Sequence, residues 1–188
     1  MPRKGLHPVS PAFETEALGS IDSLYRTALR LTHDRTDAED LVQDTYLKAF
    51  RAAESFKAGT NLRAWLFTIL HNTARNRIRD RAREAVDVDS EVVERAMTGD
   101  SGFGIRDSQG DTPESLLIRE TLAPELRQAI DELPAAFRQA IWLRDVEEFT
   151  YAEIADMLSI PIGTVMSRIS RGRQLLFQRL SHLRPANV

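Results

Sequence analysis

TYAEIADMLSIPIGTVMSRISRGRQ, residues 150–174, decides the fold. Thr150 and Glu153 stand at the spacing of a capping box, in which each side chain satisfies an open backbone N–H of the other residue. They start a short helix, Tyr151 to Leu158, which stops at Ser159-Ile160-Pro161. A last helix then runs from about Ile162 to His182. At ~100° per residue, Ile162, Val165, Ile169, Gly172 and Leu176 share one face, and Thr164, Ser167, Ser170, Arg171 and Gln174 share the other. The second face is small, polar and cationic, and no acid occurs between Ile162 and Arg184. A capped short helix, a tight turn and such a helix predict a helix-turn-helix that enters the DNA major groove. Hydroxyls, Gln and Arg then meet base edges, while flanking Arg168 and Arg173 meet phosphates. Gly172 costs about 1 kcal/mol against alanine inside a helix, which predicts close packing there.

Outward from this element the chain continues to read as helix, and the fold class is all-α with two small helical domains. Strand alternation is nearly absent, and apolar residues recur at helical spacing. A first helix is predicted from Phe13 to Thr32, with Ala17, Ile21, Leu24, Tyr25, Ala28 and Leu31 facing a core. Thr36 and Glu39 form a second capping-box spacing, starting a helix to about Ala53. The run Lys57-Ala58-Gly59-Thr60 breaks the pattern. Asn61 then caps a long helix to Arg83 with a seam of Leu62, Trp65, Leu66, Ile69 and Leu70. Thr112-Pro113-Glu114 reopens helix, Pro124 marks a break or kink, and Pro134 starts a helix to about Asp145. The expected domains are a tail at 1–12, a helical domain at 13–83, a flexible acidic linker at 84–111 and the helix-turn-helix domain at 112–184.

Charge is segregated along this frame. Arg63 to Arg83 carries six arginines against the single acid Asp80, whereas Glu84 to Glu114 carries nine acids against Arg95 and Arg106. A basic block beside an acidic one points to a polyanionic partner and a charged tether. On the second helix Ala38, Leu41, Val42, Thr45 and Ala49 face inward, leaving Asp40, Gln43, Asp44 and Lys48 outward. That acid-rich strip would repel DNA and suits a basic protein surface. Acids simply solvated near a helix N-terminus would give the same pattern. Asp37, Asp40 and Asp44 also have the helical spacing of a metal site, for which no histidine supplies support. On the long helix Arg63, Asn72, Arg75, Asn76 and Arg79 combine phosphate-seeking cations with amides that read exposed bases, an arrangement suited to DNA being opened. Trp65 is expected in the core rather than as a stacking platform.

Several functions are excluded or disfavoured. Without cysteine, disulfides, thiolate metal sites and thiol catalysis are ruled out. His33 and His71 are expected at the surface, and no serine or second histidine completes a catalytic site. Arg3 and Lys4 lead into no apolar run, so neither a signal peptide nor a membrane span is expected. The expected location is cytoplasmic. No enzyme activity, cofactor or metal is expected.

Four motifs in order, Asp37-Ala-Glu-Asp-Leu-Val-Gln-Asp44, Trp65-Leu66-Phe67-Thr68-Ile69 with Asn72, Tyr151-Ala-Glu-Ile-Ala155 and Pro161-Ile-Gly-Thr-Val-Met-Ser-Arg168, resemble the extracytoplasmic-function class of bacterial sigma factors. The resemblance covers about Phe13 to Arg83 and Pro113 to Leu183. It implies a promoter-specificity subunit of RNA polymerase, with sigma region 2 for the minus-ten element and region 4 for the minus-thirty-five element. Asp37, Asp40, Gln43, Asp44 and Lys48 would then meet the clamp helices of the largest polymerase subunit, and the flap is a further implied contact. Lys57, Thr60, Asn61, Arg63, Asn72, Arg75, Asn76 and Arg79 would meet minus-ten DNA, with an extruded base in the loop Phe56 to Asn61. Thr164, Ser167, Arg168, Ser170, Arg171, Arg173 and Gln174 would meet minus-thirty-five DNA. Gly59-Thr60-Asn61-Leu62 and the stretch around Pro161 resemble the actinobacterial oxidative-stress members, which zinc-containing anti-sigma proteins hold inactive. A monomer suits an asymmetric promoter read by two different modules. A free-standing helix-turn-helix regulator would explain Thr150 to Arg184 but leave the acidic strip and the amide-rich helix without a task. A metal-dependent nuclease is a further alternative, distinguished by cutting DNA when given magnesium.

Overall fold

The computed structural model describes residues 10–86 and 124–181, all of its regular elements being helical. Residues 87–111 of the acidic linker expected at 84–111 lie outside the described residues, as do the helix start at Thr112 and residues 1–9 of the tail expected at 1–12, whereas residues 11–12 of that tail and 84–86 of that linker are helical. The chain divides into two compact units, one holding the N-terminal helices and the other the C-terminal ones.

In the first unit, α1 spans Pro11–Leu18, α2 Ile21–Thr32, α3 Arg35–Arg51 and α4 Leu62–Val86. A 3-10 turn at Ala53–Ser55 follows α3. The single helix expected from Phe13 to Thr32 is in fact two, broken at Gly19-Ser20. Both are poor helix interiors, glycine through backbone entropy and serine through competing side-chain bonds. Ser10 caps α1 by accepting from the Phe13 N–H. The break also re-aims the apolar stripe. Ala17, Leu24 and Ala28 are buried, but Ile21, at the first position of α2, is exposed.

A second correction concerns the start of α3. Its cap is Asp34, whose Oδ1 accepts from the Asp37 N–H at 2.8 Å, and not a Thr36/Glu39 box. Asp34 has the extended backbone a cap needs, and a carboxylate beside the helix N-terminus is favoured by the helix dipole. Glu39 instead pairs with Arg35 at 3.0 Å. Asn61 does cap α4, its Oδ1 accepting from Ala64 N–H at 3.1 Å. From there Leu62, Leu66, Phe67 and Leu70 are buried against α2 and α3, along with Ala38, Leu41 and Val42. Burying Phe67 alone stabilises by roughly 1.5–3 kcal/mol. Phe67, not Trp65 or Ile69, fills the seam, since both of those are only half-buried.

The second unit contains α5 (Pro124–Asp131), α6 (Ala135–Ile141), α7 (Tyr151–Leu158) and α8 (Ile162–Leu180). The helix expected to run on to Asp145 ends as α-helix at Ile141 and passes into a π turn, Trp142–Val146. Phe149 N–H donates to Leu143 O across this turn at 3.0 Å. The chain thus reaches the α7 cap, where the expected capping box is present: Glu153 Oε2 accepts from Thr150 N–H at 2.8 Å, and Thr150 Oγ1 from Glu153 N–H at 3.3 Å. Ser159, left-handed at φ 55°, ends α7 and turns the chain into α8. Leu143, Phe149, Ile154, Met157, Val165 and Ile169 form the core of this unit. Gly172 lets α8 approach α6, for a Cβ there would lie 2.6 Å from Ile141 Cδ1 and 3.2 Å from Phe137 Cβ. Ile162, expected on the buried face, is exposed because it opens α8 before the helix meets the core.

Candidate protein-docking and nucleic-acid interfaces

The strip on α3 is outward, but its charges are not standing alone. Asp40, Gln43 and Lys48 are exposed, while Asp37 and Asp44 are half-buried against α4. Arg77 reaches across from α4, donating to Asp44 Oδ2 at 2.6 Å, to Asp40 O at 3.0 Å and to Asp37 O at 3.4 Å. Arg81 donates to both Asp37 carboxylate oxygens, at 2.9 and 3.0 Å. Lys48 Nζ bonds Thr73 Oγ1 at 3.0 Å. Arg77 and Arg81 thus join the strip to α4, a role that sequence reasoning does not assign to them. Their positions four apart on α4 carry the only signal, since residues so spaced share one helix face.

These partners also change how the strip can recognise a protein. With arginines against Asp37 and Asp44, long-range attraction for a basic surface is reduced, and direct contact matters more. Leu47 lies on α3 one turn beyond Gln43 and Asp44, and it is 51% exposed. A leucine among polar groups is the kind of apolar anchor that protein interfaces bury at their centre. It is hidden in the sequence because it falls beside the buried positions in the heptad pattern.

Arginines on α4 divide by face. At ~100° per residue, Asn72, Arg75, Asn76 and Arg79 fall on one side, and Arg77 and Arg81 on the opposite side. All four members of the first group are exposed. Arg75 leans on Asn72 Oδ1 at 3.4 Å, and Arg79 lies 3.9 Å from Asp80. Arg63 does not join this surface. It is half-buried, with its guanidinium 5.1 Å above the Phe67 ring and its Nε 3.5 Å from Ser23 Oγ.

Before α4, Lys57, Ala58, Gly59 and Thr60 form an exposed turn. Thr60 N–H and Oγ1 both donate to Lys57 O, at 3.1 and 2.7 Å. Gly59 adopts φ 85°, a left-handed conformation that side chains disfavour. Beneath the turn Phe56 packs on Trp65 with centroids 5.4 Å apart, and Phe13 approaches Trp65 at 6.2 Å. Trp65 therefore belongs to a half-buried aromatic cluster at the foot of the loop and the edge of the α4 polar face. Asn61, expected at DNA, has its carbonyl oxygen committed to capping α4.

His71, expected at the surface, is instead buried in the first unit. Burial pushes its pKa down to about 4, with the positive charge of Arg75 adding to the effect. Its burial favours the neutral form. Among the described residues, no group of three or more His, Asp or Glu could hold a metal ion, and no helix is long and apolar enough to cross a membrane.

On α8, Ser170, Arg171 and Gln174 are exposed on the side away from Val165, Ile169 and Gly172, with Thr164, Ser167 and Arg168 at its border. Ser167 Oγ donates to Thr164 O at 3.0 Å, so its hydroxyl is partly engaged by the helix itself. Arg173 differs from its neighbours, since its guanidinium pairs with Asp145 of the π turn. A polar strip on the second helix of a capped helix-turn-helix, held by an apolar back, is the arrangement that presents side chains to a major groove.

Residues 21–84 match the sigma-70 region 2 family and residues 124–176 the sigma-70 region 4 family. The fold and its two surfaces therefore define a sigma-70-type sigma factor. The chain is 31% identical to the RNA polymerase sigma-H factor of Pseudomonas aeruginosa, over 92% of this chain and 88% of that protein. It is 35% identical to the ECF RNA polymerase sigma-E factor of Haemophilus influenzae, over 79% of this chain and 77% of that one. Among solved structures, the sigma factor RpoE of Bartonella quintana, in complex with the anti-sigma factor NepR, matches with a TM-score of 0.66 and 33% identity. That match covers 93% of this chain and all of that one. The chain belongs to the extracytoplasmic-function sigma factors.

Proposed function

We propose that the chain directs core RNA polymerase to promoters as an alternative specificity subunit and helps to melt them. One observation carries this: a region 2 module and a region 4 module occur in one chain, in that order, each with an exposed polar face on its long helix. In this scheme Asp37, Asp40, Gln43, Asp44 and Lys48 of α3 dock on the clamp helices of the largest subunit, and the flap is the second polymerase contact. Asn72, Arg75, Asn76 and Arg79, with Lys57 and Thr60 of the adjoining turn, follow the opened minus-ten strand. Thr164, Ser167, Arg168, Ser170, Arg171 and Gln174 read the minus-thirty-five duplex. Arg63, Asn61 and Arg173 are weaker members, since each already has an intramolecular task.

The protein acts as a monomer in the cytoplasm and is not itself an enzyme. An anti-sigma protein restrains it until a stress signal arrives, a control supported by the anti-sigma complex of the Bartonella relative; a zinc-containing inhibitor is the finer form of that proposal. The test mixes the protein with core polymerase and supercoiled promoter DNA chosen by selection from random sequence. Transcripts that need both protein and core support the scheme. Tight duplex binding without core, and no transcript with it, would make the chain a free-standing regulator.

A further inference from the structure

We propose that Arg77 is a positioning residue for polymerase docking, acting through Asp44 and the first turns of α3. The inference rests on the assignment of the α3 strip to polymerase. Arg77 belongs to α4 but points away from the face that carries Asn72, Arg75, Asn76 and Arg79. One guanidinium reaches the Asp44 carboxylate and the main-chain carbonyls of Asp37 and Asp40. Its side chain is 28% exposed, against 65% for Arg81, so its bonds are the better shielded from solvent.

This geometry orients the strip without blocking it. Arg77 engages Oδ2 of Asp44, and the Asp44 side chain remains 44% exposed, so its other oxygen can accept from a partner's cation. The two carbonyl bonds hold the backbone from which Asp37 and Asp40 project. Three docking positions are thereby ordered before polymerase arrives, which lowers the entropy lost on binding. Because the anchor lies on α4, Arg77 adds to the Arg81–Asp37 and Lys48–Thr73 contacts that tie the polymerase-docking helix to the strand-holding helix.

The experiment is a double-mutant cycle in the full chain, read as affinity for core polymerase, using Arg77→Gln, Asp44→Asn and the pair. Each single change is expected to weaken binding about tenfold, the scale of leaving one or two interface side chains to be ordered on association. The pair is expected to lose less than the product of the two single losses, because the Asp44 arm is shared while the bonds to the Asp37 and Asp40 carbonyls are not. Thermal unfolding and helical circular dichroism check the fold. Should Arg77→Gln fail to fold, Arg77→Lys carries the same cycle, since an ammonium cannot span the three acceptors as a planar fork does. Unchanged or tighter binding by the Arg77 variant, or losses that multiply in the pair, would overturn the positioning role while leaving the α3 strip assigned. Normal binding by Asp44→Asn would overturn the strip assignment as well.

Discussion

Helix α4 of the first unit and helix α8 of the second are both rich in arginine, yet they handle those charges differently. Facing α4 is a helix with acids at Asp37 and Asp44, and two arginines turn inward to them, leaving Arg75 and Arg79 outward. No acid lies along α8, and its packing partners offer Asp145 to Arg173 and Glu132 to Arg179. Arg171 stays exposed at the middle of the polar face. An arginine's task is thus set by what faces it: beside a carboxylate, or over a ring as Arg63 lies over Phe67, it becomes scaffold, whereas Arg79 and Arg171 project from the exposed faces.

The largest effect should come from the close approach that supports α8. Gly172→Val drives a branched side chain into Ile141 and Phe137, and overpacking of this kind costs about 1–3 kcal/mol. A loss at the upper end, about 3 kcal/mol, is expected in urea unfolding of the second unit, followed by Trp142 fluorescence in a Trp65→Phe background. An unchanged midpoint would mean that α8 does not pack this tightly. Arg171→Ala tests the outward half of the comparison. It should cost about 1–3 kcal/mol of affinity for the preferred minus-thirty-five duplex if it reads a base. A loss spread evenly over all sequences would assign it to phosphate.

Acid should loosen the first unit through His71. Its folded pKa near 4 lies below the ordinary 6.5, so the unfolded chain binds the proton more readily. The neutral form's stabilising effect is therefore complete above pH 6.5 and is lost as pH falls toward 4. By linkage, the drop between about pH 7.5 and pH 5 is about 2 kcal/mol. Unfolding followed by Trp65 in a Trp142→Phe background measures it, and His71→Gln should flatten the slope. A slope that survives the substitution would place the proton uptake elsewhere. The smallest effect concerns the one arginine of the α8 reading strip that behaves like those of α4. Asp145→Asn releases Arg173 from an exposed pair worth about 0–1 kcal/mol. Nonspecific duplex affinity should rise by no more than about threefold, with a salt dependence steeper by about 0.9 in log–log slope for one added phosphate contact. No steepening would mean that Arg173 does not reach DNA even when released.

Much of the fold is legible in the sequence because it rests on local rules. The Thr150/Glu153 box, the Ser159 stop and the Asn61 cap depend on residues within one turn of each other, and the structure has all three. Sequence reasoning fails where distant chain decides. Whether Phe67 or Trp65 fills the seam depends on α2 and α3, and His71 looks superficial because it is itself polar and leads into Asn72, Thr73 and the arginines that follow. The break at Gly19-Ser20 is masked because the apolar period continues across it. Of the two surfaces, the α8 strip follows largely from periodicity, and only Arg173 is drawn from it by a group elsewhere in the chain, Asp145. The α3 strip can be placed outward from its own period, but Arg77 and Arg81 come from some forty residues away in sequence, a separation no helical spacing spans. Leu47 shows the complementary gap: its exposure becomes visible only once the packing of α3 is known.

The central claim is a division of labour, with α3 docking polymerase and α8 reading duplex DNA. It is tested most directly by measuring Asp44→Arg and Arg171→Ala side by side, each for affinity to core polymerase and, as assembled holoenzyme at saturating protein, for discrimination between minus-thirty-five sequences. Asp44→Arg is expected to weaken core binding by about tenfold or more, about 1.4 kcal/mol or above, while the holoenzyme it does form discriminates normally. Arg171→Ala should bind core as the unaltered protein does and lose discrimination. Unchanged core affinity in a folded Asp44→Arg protein, or a loss of core affinity in Arg171→Ala equal to that of Asp44→Arg, would contradict it.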